Sequence, residues 1–142
     1  MDEPRLDFEP FVGGDVRRHI IDGINNHNMA ATGAVAYFPA NFVLRSARGE
    51  VEGGLLGGIW AGWLEVRILW VAEEMRGQGQ GARLMAAAEA YAVEKHCVGI
   101  TLDTFSFQAR PFYERLGFSV FGQLDDYPAG HSRFYMEKRL AG

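Results

Sequence analysis

Residues 63–105 read WLEVRILWV (63–71), AEEM (72–75), RGQGQG (76–81), ARLMAAAEAYAVEKHC (82–97) and VGITLDTF (98–105). The first block is long and rich in aromatic and β-branched residues, which predicts a strand over Trp63–Val71. The glycine-rich block has neither period and reads as a turn. Leu84, Met85, Ala88, Tyr91 and Ala92 then recur at helical spacing, predicting a helix over about 79–96. Val98, Ile100 and Leu102 alternate, predicting a second strand over 98–105. A strand, a crossover helix and a returning strand make a parallel pair, so residues 63–105 decide the centre of the sheet.

The flanking sequence adds antiparallel strands. Asn41–Ala47 and Val51–Trp60 are strand-like runs joined by Arg48-Gly49-Glu50, and Ala61-Gly62 offers a second tight turn into Trp63. Residues 30–40 read as a loop with Pro39 as a breaker. Upstream, Asp15 is a plausible N-cap for a helix over about 15–28 with Val16, Ile20 and Ile24 on one stripe. Downstream, a short helix is expected over about 108–116. Ser106 is its candidate cap, Pro111 sits in its first turn, and Gly117 suits the left-handed position after it, with Phe118 behind. Phe118–Leu124 and Ser132–Arg139 then close the sheet around the loop 125–131. The expectation is one domain over 1–142, an α/β fold with a mixed, mostly antiparallel sheet and helices on both faces.

Composition narrows the functional classes. Hydrophobic residues are 48% and charged residues 23%, the balance of a globular chain. No run of 18 apolar residues is present, which argues against a membrane span. The acidic start MDEPRLDFEP lacks the apolar centre of a signal peptide. Cys97 is the one cysteine, which excludes an intrachain disulfide and points to a reducing, cytoplasmic setting. It is most simply a small buried apolar residue. A net charge of −4 argues against nucleic acid, whose phosphates are bound by Lys and Arg. His19, His27, His96 and His131 have no metal-ligand spacing, so no metal is expected.

The turn Arg76-Gly77-Gln78-Gly79-Gln80-Gly81 carries the first chemical signal. A helix N-terminus offers free N–H groups and the positive end of the macrodipole, and glycine lets the backbone approach a phosphate closely. Arg76 and Arg83 add charge. The turn alone leaves three readings open: a pyrophosphate cradle, a plain strand-to-helix turn, and a dinucleotide site, since Gly77-x-Gly79-x-x-Ala82 fits the loose pattern with Asp103 downstream. Against the last stand the hairpin-fed strand before the turn and the shortness of the chain. A P-loop is excluded because no Gly-Lys-Ser/Thr follows.

Arg76-x-x-Gly79-x-Gly81, after a strand and opening a helix, resembles the acyl-CoA-binding signature of the GNAT superfamily of N-acyltransferases. A second block, Gln108-Ala109-Arg110-Pro111-Phe112-Tyr113-Glu114-Arg115-Leu116-Gly117-Phe118, is similar to the family's Asn-rich start and Tyr-Glu-Lys-x-Gly-Phe. Gln108 stands where asparagine is usual. The resemblance covers 41–140 well and the first forty residues loosely. It implies that the central parallel strands splay and that the pantetheine arm of acetyl-CoA enters the gap. Leu69, Trp70 and Val71 would hold that arm through backbone groups, and Gly77, Gln78, Gly79, Gln80, Gly81 and Ala82 the pyrophosphate, with Arg76, Gln108 and Tyr113 completing the cofactor site. The Val71 N–H would be the oxyanion donor.

Acyl transfer to an amine needs a proton acceptor, an oxyanion donor and an acid for the thiolate. Glu65 is the candidate base. Counting by two places it with Arg67, Leu69 and Val71 on one strand face, and it falls eleven residues before Arg76, where the resemblance implies a catalytic glutamate in some members and an ordered water or another group in others. The competing reading is a surface ion pair with Arg67. Glu73 and Asp103 are weaker candidates for the base, against a role as solvated strand-end residues. Tyr113 is the candidate acid, against a purely packing role. Tyr37, Tyr127 and His131, on presumed loops, are candidates for the acceptor pocket. The function expected is acetyl transfer from acetyl-CoA to a primary amine of a small molecule, with protein amines also open. The alternatives are a non-catalytic acyl-CoA-binding module, a nucleotide-binding oxidoreductase and a toxin acting on charged tRNA. The sheet edges offer a route to a homodimer.

Overall fold

The structure is a computed structural model and describes residues 2–141. The chain divides between Val35 and Ala36 into two compact units. The first contains helix α1 (Gly14–Thr32). Gly13, not Asp15, is its N-cap; Asp15 lies in the first turn, where its charge meets the positive end of the helix. The helix outruns the expected end at 28 because Met29, Ala30 and Ala31 are good helix formers, and Gly33 at φ 77° stops it. None of its residues is buried, and Val16, Ile20 and Ile24 are exposed.

The second unit is a six-stranded sheet with two helices. Its elements are β1 (Phe38–Arg45), β2 (Val51–Trp60), β3 (Trp63–Val71), α2 (Gln80–Glu94), β4 (Gly99–Phe105), α3 (Arg110–Arg115), β5 (Ser119–Asp125) and β6 (Ser132–Arg139). A 3-10 turn at Glu73–Met75 joins β3 to the glycine turn. The strand order is β1-β2-β3-β4-β6-β5, with β3 and β4 parallel and every other pair antiparallel. This is the mixed sheet that the sequence predicts. β1 starts earlier than expected and includes Pro39. It is an edge strand, where a missing N–H is tolerated. Ala109, not Ser106, is the N-cap of α3, while Gly117 at φ 96° takes the left-handed position expected of it.

Helices α2 and α3 lie on one face of this sheet. Leu84, Met85, Ala88 and Ala92 of α2 and Tyr113 of α3 join Leu55, Leu64, Ile100 and Met136 in one buried cluster, with Cys97 among them. Burial of that apolar area stabilises the unit at about 25 cal/mol per Å².

Strand β3 carries one extra residue. Leu56 pairs with Ile68 and Gly57 with Val66, so Arg67 has no partner on β2. A bulge shifts the alternation of faces by one. Leu64, Val66, Leu69 and Val71 therefore all turn toward the helices, while Glu65, Ile68 and Trp70 turn to the outer face. The sequence count that put Glu65, Leu69 and Val71 on one face is corrected by this bulge. Gly57 makes the bulge possible, because a Cβ there would run into the Glu65 carbonyl oxygen.

Candidate active site

The parallel pairing of β3 and β4 covers only Trp63–Val66 against Gly99–Leu102. Beyond it, β3 stays with β2 through Val71 and β4 stays with β6 through Phe105, so the two strands part. Between them opens a cleft of about 560 Å³ walled by residues 66–71, residues 102–105, Arg76, Phe107, Gln108, Ala109 and Tyr113.

The β3 edge of this cleft has free backbone groups. The Ala72 N–H donates to the Glu52 carbonyl on the β2 side at 2.8 Å. Strand groups alternate sides, so the N–H and C=O groups of Leu69 and Val71 face the cleft. The Val71 carbonyl accepts a hydrogen bond from Arg76 Nε at 3.0 Å. The Val71 N–H and both Leu69 groups are left for an extended ligand, as in strand addition. Trp70 points to the outer face and is half-exposed.

The glycine turn lies at one end of the cleft, beyond Arg76. Gly77 and Gly79 have φ of 76° and 78°, a conformation that glycine adopts without strain. A Cβ at either would meet nothing within 4 Å, so the surface above them is open. Arg83 N–H bonds the Gly79 carbonyl at 3.0 Å as the first turn of α2, which leaves the N–H groups of Gln80, Gly81 and Ala82 outside the helix ladder. Gln78 Nε2 donates to the Glu74 carbonyl at 3.1 Å and, with Arg76, pins the turn from behind. The Gln80 side-chain oxygen is buried with no partner among the described residues. A Cβ at Gly81 would stand 3.3 Å from Phe112 Cζ, so that glycine also lets α3 approach α2. Open N–H groups at a glycine-lined helix start, beside a free strand edge, fit a pyrophosphate followed by an extended amide-bearing arm.

Gln108 serves the frame of the cleft. Its Oε1 accepts from the Phe105 N–H at 2.9 Å and from Thr104 Oγ1 at 3.3 Å, which fastens the end of β4. Tyr113 is 8% exposed, with Phe112 and Phe118 edge-on at 5.1 and 6.0 Å. Burial, and then the negative charge of Asp103, push its phenol up to about 12. It therefore stays a proton donor at neutral pH.

Two carboxylate–arginine–tyrosine groups border the cleft. Glu65 Oε1 accepts from Arg67 Nε at 2.9 Å, and Arg67 Nη1 donates to Tyr37 Oη at 3.2 Å. The Tyr37 ring lies over Gly58, where a Cβ would strike it. Arg67 belongs to the cleft wall, and Glu65 and Tyr37 stand outside it. The hydrogen bond to Tyr37 and the charge of Glu65 hold the Arg67 guanidinium above its ordinary value. On the β4 side, Asp103 Oδ2 lies 2.9 Å from Arg133 Nη2, and Arg133 Nη1 donates to Tyr127 Oη at 2.9 Å. Here the carboxylate itself is in the cleft wall. His131 Nδ1 meets Ser106 Oγ at 3.2 Å, its ring is edge-on to Phe107 at 5.0 Å, and Ser106 Oγ accepts the Ser132 N–H at 3.0 Å. Tyr127 and His131 thus tie the 126–131 loop to the cleft without lining it.

Asp103, a weaker candidate in the sequence against a solvated strand-end role, lines the cleft with Tyr113. Phe107 was not expected there, nor was the hold of Arg133, from outside the wall, on Asp103. The available signal was Asp103 itself, the one charge in the apolar strand VGITLDTF. Among the described residues, no group of three or more His, Cys, Asp or Glu side chains is placed to hold a metal, and no helix is long and apolar enough to cross a membrane.

The fold and this cleft define an acyl-CoA-binding class, and comparison with known proteins narrows it. Residues 39–120 match the acetyltransferase (GNAT) domain family. The chain is 37% identical over 126 residues to an acetyltransferase of Agrobacterium fabrum, covering 89% of this chain and 92% of that one. It is 44% identical over 94 residues to the blasticidin-S acetyltransferase of Streptomyces morookaense, covering 66% and 69%. It superposes on the crystal structure of an Agrobacterium tumefaciens protein classed as an acetyltransferase with a TM-score of 0.91 and 34% identity, covering 96% and 100%. The chain belongs to the GNAT acetyltransferase family and is an acyl-CoA-dependent N-acetyltransferase, with acetyl-CoA as the family's co-substrate.

Proposed function

We propose that this enzyme acetylates a primary amine of a small molecule by direct attack in a ternary complex. An antibiotic amine is the acceptor class supported by the likeness to a blasticidin-S acetyltransferase. The observation that carries the mechanism is the meeting, in one cleft, of the free β3 edge and the buried Tyr113 phenol. Acetyl-CoA supplies an activated thioester. Leu69 and Val71 would align its arm through their open backbone groups, with the Val71 N–H directed to the developing oxyanion. The N–H groups of residues 77–82 would hold the pyrophosphate, and Arg76 would stiffen the join between the two. Tyr113 would give its proton to the departing sulfur. Glu65 is the proposed proton acceptor for the amine. It opens on the outer face beside the splay and engages Arg67 through one oxygen.

Thiol release from acetyl-CoA in the presence of blasticidin S, against a panel of polyamines, aminoglycosides and lysine peptides, tests this reading. Amine-dependent release with a small-molecule acceptor is expected, and Tyr113→Phe should lower it by roughly 100-fold or more. Release with peptides alone would move the enzyme to the protein-modifying class.

A further inference from the structure

Resting on that reading, we propose that Asp103 receives the acceptor's ammonium, and that Arg133, braced from behind by Tyr127, is a positioning residue that fixes this carboxylate in the cleft wall. Asp103 is the only carboxylate among the residues walling the cleft. Its Oδ2 is taken by Arg133, and no hydrogen bond among the described residues reaches its Oδ1. The wall therefore offers an acceptor-only oxygen in the cleft that Tyr113 also lines, suited to an N–H donor such as a primary ammonium.

The way Arg133 is held separates it from an incidental surface pair. Its guanidinium carbon lies 5.0, 5.2 and 5.4 Å from the ring centroids of Tyr127, Tyr135 and Phe105. Aromatic walls around a cation are the geometry by which proteins bind an ammonium from outside. Here the chain's own arginine fills the space and extends both terminal nitrogens, one to β4 and one to the loop. Its Nε is buried and has no hydrogen-bond partner among the described residues. Leaving that donor unmatched is costly, which marks a side chain placed for its fork rather than for full satisfaction. Asp103 and Tyr127 thus keep a fixed spacing through one rigid planar group, which lysine would not reproduce.

The test uses 1,5-diaminopentane and blasticidin S as acceptor probes, with thiol release giving kcat and KM and calorimetry giving acetyl-CoA binding to each variant. Asp103→Asn should raise the amine KM by roughly 10- to 100-fold, the effect of losing a charged hydrogen bond, while acetyl-CoA binding stays the same. Arg133→Lys should raise the amine KM by about tenfold, because it keeps charge but loses the fork and the stacking. If Asp103→Asn no longer binds acetyl-CoA, Tyr127→Phe carries the test and should raise amine KM alone. Unchanged amine KM in these variants overturns the inference and leaves the acetyl-transfer reading intact. If wild type transfers to neither probe, calorimetry with the CoA complex decides, and failure of both amines to bind also overturns it. Failure of wild type to bind acetyl-CoA would instead overturn the reading beneath.

Discussion

The two carboxylate–arginine–tyrosine groups beside the splay use the same three residue types and are held differently. Arg67 and Glu65 are 51% and 55% exposed, and their tyrosine lies on a floor of glycine. Arg133 and Asp103 are 24% and 38% exposed, with the guanidinium among three rings. The first arises at a bulge, where local chain geometry turns a side chain outward. The second is built from three separate elements, β4, β6 and the loop between β5 and β6. Composition alone does not distinguish a group that solvent can rearrange from one that the fold has fixed, but the packing around each arginine does.

Removing each arginine should separate them most widely. Arg133→Ala is expected to cost about 2 kcal/mol in denaturant unfolding, since it strands a half-buried carboxylate and empties the ring cluster. Arg67→Ala should cost under about 1 kcal/mol. Equal losses would erase the distinction. The bulge beneath the exposed group is the next point to break. Gly57→Ala forces a Cβ against the Glu65 carbonyl, and roughly 1–3 kcal/mol of destabilisation is expected by the same measurement. The hydroxyls give the smallest contrast. Tyr127→Phe should cost about 1 kcal/mol and Tyr37→Phe about half that, because Arg133 is the less exposed of the two arginine partners. Thermal melts of the pair check the order.

The sequence made much of this legible, and the remainder has physical reasons. Residues 63–105 carry both periodicities and the glycine turn, so the central parallel pair could be read from local pattern. The roles of Leu69 and Val71 came from family resemblance, because a free strand edge is a property of the backbone and leaves no side-chain pattern in the sequence. The face of Glu65 was misread because a bulge has no period of its own. Its only local trace is Gly57 on the neighbouring strand. The early start of β1 was hidden by Pro39, a breaker in isolation and harmless on an edge. Asp103 and Arg133 are thirty residues apart in sequence, and only the antiparallel pairing of β4 with β6 brings them together.

The raised phenol of Tyr113 links the cleft to stability. The folded protein holds this proton more tightly than the unfolded chain, where tyrosine titrates near 10. The stability so contributed is complete below about pH 10 and is lost as pH rises through about 12, at about 1.4 kcal/mol per unit at most.

The most direct measurement is an ultraviolet phenolate titration of wild type, Asp103→Asn and Glu65→Gln, with Tyr113→Phe to assign the signal. The structure predicts one phenol ionising at about 12, moved downward by Asp103→Asn and left in place by Glu65→Gln. A Tyr113 that ionises at the ordinary value, or that responds to Glu65 and not to Asp103, would contradict the placing of the buried group beside the reacting centre.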